Sequence, residues 1–235
     1  MKILAFDTAL NACSVAIMDN HDVLAHGHEK RRRGHAETLI PMIEDLMNGA
    51  GFSYADMDLI AVTVGPGTFT GLRIGLAAAR GMSLAARKPL VGVTTLEALA
   101  ATVPKEMAED RPVIATADAR RGEIYLQSFK VNTSNGVISP LSPPKACKIG
   151  TALASTGLEK AVIVGSGGIL LSGQSGFDKT RYQLLELDED PDAIHVARIA
   201  LGRGMPPPNS SPPAPLYLRA PDAKLPGGRS PVISP

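Results

Sequence analysis

Gly65-Pro66-Gly67-Thr68-Phe69-Thr70-Gly71-Leu72-Arg73-Ile74-Gly75 is a glycine-rich turn that leaves a buried strand and enters a helix. Such a turn can present backbone N–H groups and a helix N-terminus to an anion. It lacks both the Gly-Lys-Ser/Thr of a P-loop and the GxGxxG spacing of a dinucleotide site, so a tight turn with close packing is favoured over anion binding. For acid–base work Asp7, Asp118 and Glu123 could meet in a cleft, although Asp7-Thr8 also makes a good strand terminus and Asp118 to Gly122 a good hairpin turn. No GxSxG elbow is present, and no cysteine lies beside a histidine, which argues against a nucleophilic hydrolase. His26 and His28 are read as facing opposite sides of a strand, no histidine pair has the i, i+4 spacing of a helical metal site, and Cys13 and Cys147 form no CxxC pair. No metal site is expected.

These groups must be positioned by an α/β framework. Lys2 to Phe6, Cys13 to Met18 and Val23 to Glu29 read as an antiparallel meander. In His35 to Met47 the residues Leu39, Ile40, Ile43, Leu46 and Met47 form one apolar helix face, with Pro41 expected to bend the helix or mark its first turn. Asp58 to Val64 is a strand buried on both faces, followed by a helix from about Thr70 to Arg87, a strand from Leu90 to Val93 and a helix from about Thr95 to Val103. Along the Thr70 to Arg87 helix, Arg73, Arg80 and Arg87 lie on one stripe and Gly71, Gly75, Ala78 and Met82 on the opposite one. The small-residue stripe permits close approach either of the protein's own sheet or of another subunit.

A second α/β unit begins near Pro112, with strands Val113 to Ala117 and Glu123 to Phe129. Val131 to Gly150 reads as loop or irregular edge strand, and Ala161 to Val164 as a strand ending in Gly165-Ser166-Gly167-Gly168. Ile194 to Gly202 is a short helix. The domain reading is 1–104, 105–205, and a 206–235 segment too rich in proline and serine to pack, expected to be a linker and partly disordered tail.

Composition narrows the function classes. The 235 residues are 44% apolar and 20% charged, and 24 Lys+Arg against 23 Asp+Glu leave +1, without the positive field of a protein that binds nucleic acid tightly by itself. Aromatics are only 4% and tryptophan is absent, which argues against a base-stacking platform. Lys30-Arg31-Arg32-Arg33 is read as a solvated face, with contact to phosphate or an acidic partner as the alternative. No stretch reaches the length of a membrane span, so a cytoplasmic protein with no membrane partner is expected.

ILAFDTAL, GHAETLIPMIEDLM, LIAVTVGPGTFTGLRIGLAAARGMSLA, TTLEALA, DARRGEIY and PLYLRAPDA together resemble the bacterial TsaB (YeaZ) family of the ASKHA, or actin-like ATPase, superfamily. The resemblance covers most of residues 1 to 130 and a short anchor at Pro215 to Ala223; Val131 to Ser210 matches weakly. It implies a two-lobed actin-like α/β fold, each lobe a mixed sheet flanked by helices. It also implies cofactor-binding positions: Asp7 and Thr8 at the first phosphate loop, Asp118 to Gly122 at the second, and Gly165 and Gly167 near an adenosine loop. ATP or ADP would bind there weakly or only in a complex.

The family supports formation of threonylcarbamoyl-adenosine beside the anticodon of ANN-decoding tRNAs, as the noncatalytic partner of a TsaD-type transferase and with a TsaE-type ATPase. TsaD-type chains carry an HxEGH-type metal motif where this sequence reads Thr95-Leu96-Glu97-Ala98-Leu99, and threonine and leucine cannot replace imidazole ligands. A metallopeptidase role is undercut by the same absence. The resemblance implies that the first-lobe helices, through Leu39, Ile43, Met47, Gly71, Gly75, Ala78 and Met82, meet the TsaD-type partner, or a second copy when the partner is absent. On that reading tRNA is reached through the complex, and Gly75→Leu should abolish the complex while leaving the fold intact. The competing reading is an ATPase or kinase using its own interlobe cleft.

Overall fold

The computed structural model describes residues 1–108, 111–132 and 136–219. Its first half is a five-stranded sheet. β1 (Lys2–Asp7), β2 (Ala12–Asp19) and β3 (Asp22–Lys30) form the expected antiparallel meander, and α1 (His35–Ala50) leads to β4 (Leu59–Gly65), which pairs parallel with β1. Then α2 (Phe69–Ala86) returns the chain to β5 (Leu90–Thr94), parallel to β4, giving the order β3-β2-β1-β4-β5. Next come α3 (Thr95–Ala100) and α4 (Lys105–Ala108).

The second half repeats the plan. β6 (Val113–Arg120) and β7 (Glu123–Val131) make an antiparallel hairpin, and the proline-rich stretch after it supplies two short edge strands on β7, β8 (Ile138–Pro140) and β9 (Lys145–Lys148). Beyond α5 (Ile149–Ala152), β10 (Ala161–Val164) lies parallel to β6; α6 (Ser166–Ser172) and β11 (Tyr182–Leu184) follow, and the chain then enters α7 (Ala193–Arg203). The order β8-β7-β6-β10-β11 matches the first sheet strand for strand, antiparallel on one side of the central strand and parallel on the other.

Continuous apolar runs account for the central strands β1, β2, β4, β6 and β10, which are covered on two faces, while β3, β8 and β9 are edge strands, exposed or half-buried. On one face of the first sheet, Leu4, Phe6, Val15, Ile17, Ile60 and Val62 pack with Leu39, Ile43 and Met47 of α1 and Leu76 and Ala79 of α2. The opposite face, Ile3, Ala5, Ala16, Leu59 and Ala61, is covered by Ala193, Val196, Ala197 and Ala200 of α7. α7 was placed by sequence in the second unit; its apolar stripe and the bond from the Ala193 amide to Ser14 Oγ (3.0 Å) put it on the first sheet instead. α3 faces both lobes, giving Ala98 to the first core and Leu96, Leu99 and Ala100 to the second. Cys13 is a fully buried strand residue, and burial pushes its thiol up to about 12.

Three other expectations are corrected. α1 runs unbroken past Pro41, which stands in its second turn. His26 and His28 both reach the Asp192 carboxylate, so they share one face of β3, as a side-chain period of two requires for positions i and i+2. Residues 206–219 have no helix or strand but are packed: the Leu216 amide donates to the Val64 carbonyl (2.7 Å), Arg80 Nη2 donates to the Pro213 carbonyl (2.6 Å), and Tyr217 stacks on Phe69. Proline prevents a ladder here without preventing contact. The expected tail from 220 onward lies outside the described residues.

Candidate functional site in the interlobe cleft

Between the lobes lies a cleft of about 410 Å³. The first lobe gives it Leu10, Asn11, Arg32, Gly67, Thr68 and Phe69. The second gives Asp118, Arg120, Tyr125, Ser166 and Ile169, and the C-terminal segment adds Tyr217 and Arg219.

The glycine-rich turn is built for close packing. A Cβ on Gly67 would overlap the Ala9 carbonyl, one on Gly71 would overlap the Thr8 carbonyl, and one on Gly75 would lie 2.7 Å from Thr8 Oγ1. The polar groups close on one another as well. The Thr68 amide donates to the Ala9 carbonyl (2.8 Å), Thr68 Oγ1 caps α2 by accepting from the Gly71 amide (3.1 Å), and Thr8 Oγ1 donates to the Gly71 carbonyl (2.8 Å). The second lobe repeats the device: Gly165, at φ +87°, and Gly167 press on Thr116, whose hydroxyl donates to the Val164 carbonyl (2.7 Å).

Of the five residues expected at a cofactor, only Asp118 lines the cleft. Asp7 and Thr8 are buried beneath it, and Gly165 and Gly167 are spent against β6. The Asp7 carboxyl has no exposed surface; its Oδ1 accepts from Thr63 Oγ1 (2.5 Å) and the Ala9 amide (3.1 Å), while Oδ2 has no partner. Burial, which the two hydrogen bonds only partly offset, pushes it up to about 7. Asp118 closes on its own hairpin, accepting from the Arg120 amide (2.7 Å) and pairing with its guanidinium (3.1 Å). Asp7, Asp118 and Glu123 therefore do not converge.

The residues that sequence reasoning missed are those at the rim. Arg32 lay inside the basic run read as a solvated face, Tyr125 inside EIY, and Tyr217 and Arg219 inside the PLYLRAPDA anchor. Phe69 (46% exposed) stacks on Tyr217 at 5.7 Å between ring centroids, and the Arg73 guanidinium lies 3.8 Å over Phe69. Arg219 bridges to the second lobe, donating to the Ala119 carbonyl (2.9 Å) and pairing with Glu123 (3.3 Å). Arginines, tyrosines and a stacked phenylalanine suit recognition of an anionic or planar group. Among the described residues the lining contains no histidine, cysteine or lysine, and its acid–base groups are the carboxylates Asp118 and Glu189 and the phenols Tyr125 and Tyr217.

The residues expected at a partner surface are mostly interior. Leu39, Ile43, Met47, Gly71 and Gly75 are buried in the first lobe's own packing, and Ala78 and Met82 keep part of their surface. A leucine at 75 would collide with Thr8, so Gly75→Leu is a folding variant and not an interface probe. The segment Thr95 to Leu99 is likewise structural. Thr94 Oγ1 caps α3 by accepting from the Glu97 amide (3.1 Å), Glu97 pairs with Arg203 (2.5 Å), and Thr95, Leu96 and Leu99 are fully buried.

Twin sheets of one topology with a cleft between them define a two-lobed α/β protein. The family model described as TsaD, tRNA N6-adenosine threonylcarbamoyltransferase, matches residues 27–167, and the chain belongs to this family. It is similar to the tRNA threonylcarbamoyladenosine biosynthesis protein TsaB of Escherichia coli strain K12, 40% identical over 137 residues, 58% of this chain and 58% of that protein. It is also similar to the TsaB of Haemophilus influenzae, 34% identical over 125 residues, 53% and 52% of the two chains. The chain spans about half the length of the curated relatives it matches. Among solved structures, YeaZ from Pseudomonas aeruginosa superposes with a TM-score of 0.71 at 27% identity, covering 86% of this chain and 93% of that one. A protein described as having similarity to peptidase YEAZ from Pseudomonas aeruginosa superposes with 0.76 at 28%, covering 93% and 99%.

Proposed function

We propose that this chain is a noncatalytic partner subunit that supports a TsaD-type transferase in threonylcarbamoyl transfer to the adenosine beside the anticodon of tRNA. The observation that carries the reading is the segment from Thr95 to Leu99. It belongs to a family named for the transferase, and its side chains there cap a helix and fill two cores. TsaB relatives named for threonylcarbamoyladenosine biosynthesis support the same assignment. The TsaE-type ATPase, the homodimer formed without the partner, tRNA binding through the complex and a cytoplasmic setting belong to this proposal too. Among the described residues no helix is long and apolar enough to cross a membrane.

For the partner surface the outer face of α2 replaces the buried residues. Ala77, Gly81 and Leu84 follow i, i+4, i+7 spacing on one stripe, and Leu84 is 82% exposed. Gly81 has nothing within 4 Å of an added Cβ, so nothing in this fold requires glycine there. A facing helix would use that space. The test is depletion of the protein in its host, followed by mass spectrometry of tRNA nucleosides. Threonylcarbamoyl-adenosine should fall, recover with the wild type, and fail to recover with Leu84→Asp, a surface change that leaves the fold intact. An unchanged nucleoside level overturns the function, and full rescue by Leu84→Asp overturns the surface.

A second reading, nucleotide binding in the cleft with ATP or ADP, draws on Arg32, Arg120 and Arg219 around the cavity. Calorimetry with ATP and magnesium tests it; no heat and no turnover would remove it.

A further inference from the structure

Away from the cleft, His26 and His28 lie on β3, an edge strand of the first sheet, and face the start of α7. Asp192 is the N-cap of that helix. Its Oδ1 accepts from the Ile194 amide (2.7 Å), and its Oδ2 is turned to the imidazoles, 3.0 Å from His26 Nε2 and 3.6 Å from His28 Nδ1. One ligand atom from each of the three side chains lies within 4.8 Å of the others.

The His28 ring is 14% exposed, yet both of its nitrogens are buried and lack a hydrogen-bond partner. A neutral imidazole ordinarily satisfies both, one as donor and one as acceptor. Two imidazoles and a carboxylate form a donor set for a first-row divalent metal. With metal–ligand bonds of about 2.0–2.1 Å, the ligand atoms of a tetrahedral zinc site stand roughly 3.3 Å apart. The two separations measured to Asp192 bracket that value. Asp188 Oδ2 lies 3.7 Å from His28 Nε2, on the side of the ring's second nitrogen but beyond hydrogen-bond distance.

The geometry points to a zinc-class divalent metal site formed by His26, His28 and Asp192, with the remaining coordination position open to water. It is separate from the Thr95 to Leu99 segment and from the cleft. The ion would fasten the edge strand β3 to the start of α7, where the chain returns from the second lobe to the first.

The test uses the full chain, stripped with a chelator and titrated with zinc chloride by calorimetry, with cobalt(II) as a spectroscopic probe. The expected result is one zinc per chain, intense four-coordinate cobalt bands in the visible, and a melting temperature raised by zinc. Both His28→Ala and His26→Gln should weaken binding by more than the roughly 10–100-fold lost with an outer-shell partner. His21→Ala, in the exposed turn before β3, should leave it unchanged. His26→Gln alters an exposed side chain and decides the matter if His28→Ala fails to fold. Absence of zinc binding, or binding indifferent to His26 and His28, overturns the site.

Discussion

Replacing Asp7 by asparagine should change how stability depends on pH, and the sign follows from where the proton resides. In the folded chain the Asp7 carboxyl is pushed from its ordinary 3.8 to about 7, chiefly by burial. Below about pH 4 the folded and unfolded chains are both protonated at this position and no cost arises. As the pH rises toward 7 the unfolded chain releases its proton while the folded chain keeps it, so the folded state is progressively disfavoured. Above 7 both states are ionised and the penalty stays constant. The gap, at about 1.4 kcal/mol for each tenfold change in proton affinity, comes to roughly 4 kcal/mol. Asparagine retains an oxygen to accept from Thr63 and Ala9 and has no proton to lose. Urea denaturation followed by far-UV circular dichroism suits a chain without tryptophan. The stability of Asp7→Asn minus that of the wild type should climb by roughly 4 kcal/mol between pH 4 and pH 8, the contributions of carboxylates that do not interact with Asp7, all but Asp190 and Asp192, cancelling in the difference. Two stability curves running parallel across that window would refute the account of Asp7 as a buried, protonated carboxyl.

Two further outcomes follow from the glycines. Gly71→Ala should destabilise the first lobe by about 3 kcal/mol or more, because its methyl group would overlap the Thr8 carbonyl; a urea midpoint equal to the wild type's would show that the turn can yield. Gly81→Ala should do the reverse and stabilise the chain by about 1 kcal/mol, since the position is exposed and helical with nothing near an added Cβ. A melting temperature below the wild type's would reveal a need for glycine within the fold itself.

The succession of strands and helices in the first half, and the start of a second unit, were legible because buried strands announce themselves. DLIAVTV and the opening meander carry their own periodicity, and the observed elements begin and end near the residues read from it. Burial on the first helix was legible in kind but not in destination. Leu39, Ile43 and Met47 make an apolar face whether that face meets a sheet or another molecule, and only the position of β2 and β4 decides. The small residues of α2 raise the same question, answered by Thr8 lying against Gly71 and Gly75. Contacts between residues far apart in the chain left no local trace. Asp192 beside His26, Tyr217 on Phe69 and α7 beneath β1 each join segments separated by more than a hundred residues. The proline-rich stretch misled for a different reason: proline removes ladder donors, which weakens the case for a strand but says nothing about packing.

α7 has a consequence for how the molecule holds together. The first lobe closes one face of its sheet with a helix drawn from residues 193–203, after the whole second lobe has been traversed. Residues 1–104 alone would therefore present Ile3, Ala5, Ala16 and Leu59 bare to water, and the second half alone would carry the unmatched stripe of Val196, Ala197 and Ala200. Neither lobe is a module that can be excised, and α3, wedged into both cores, ties them again. The first sheet is covered on both faces only when α7 is in place, which couples the two lobes into one cooperative unit.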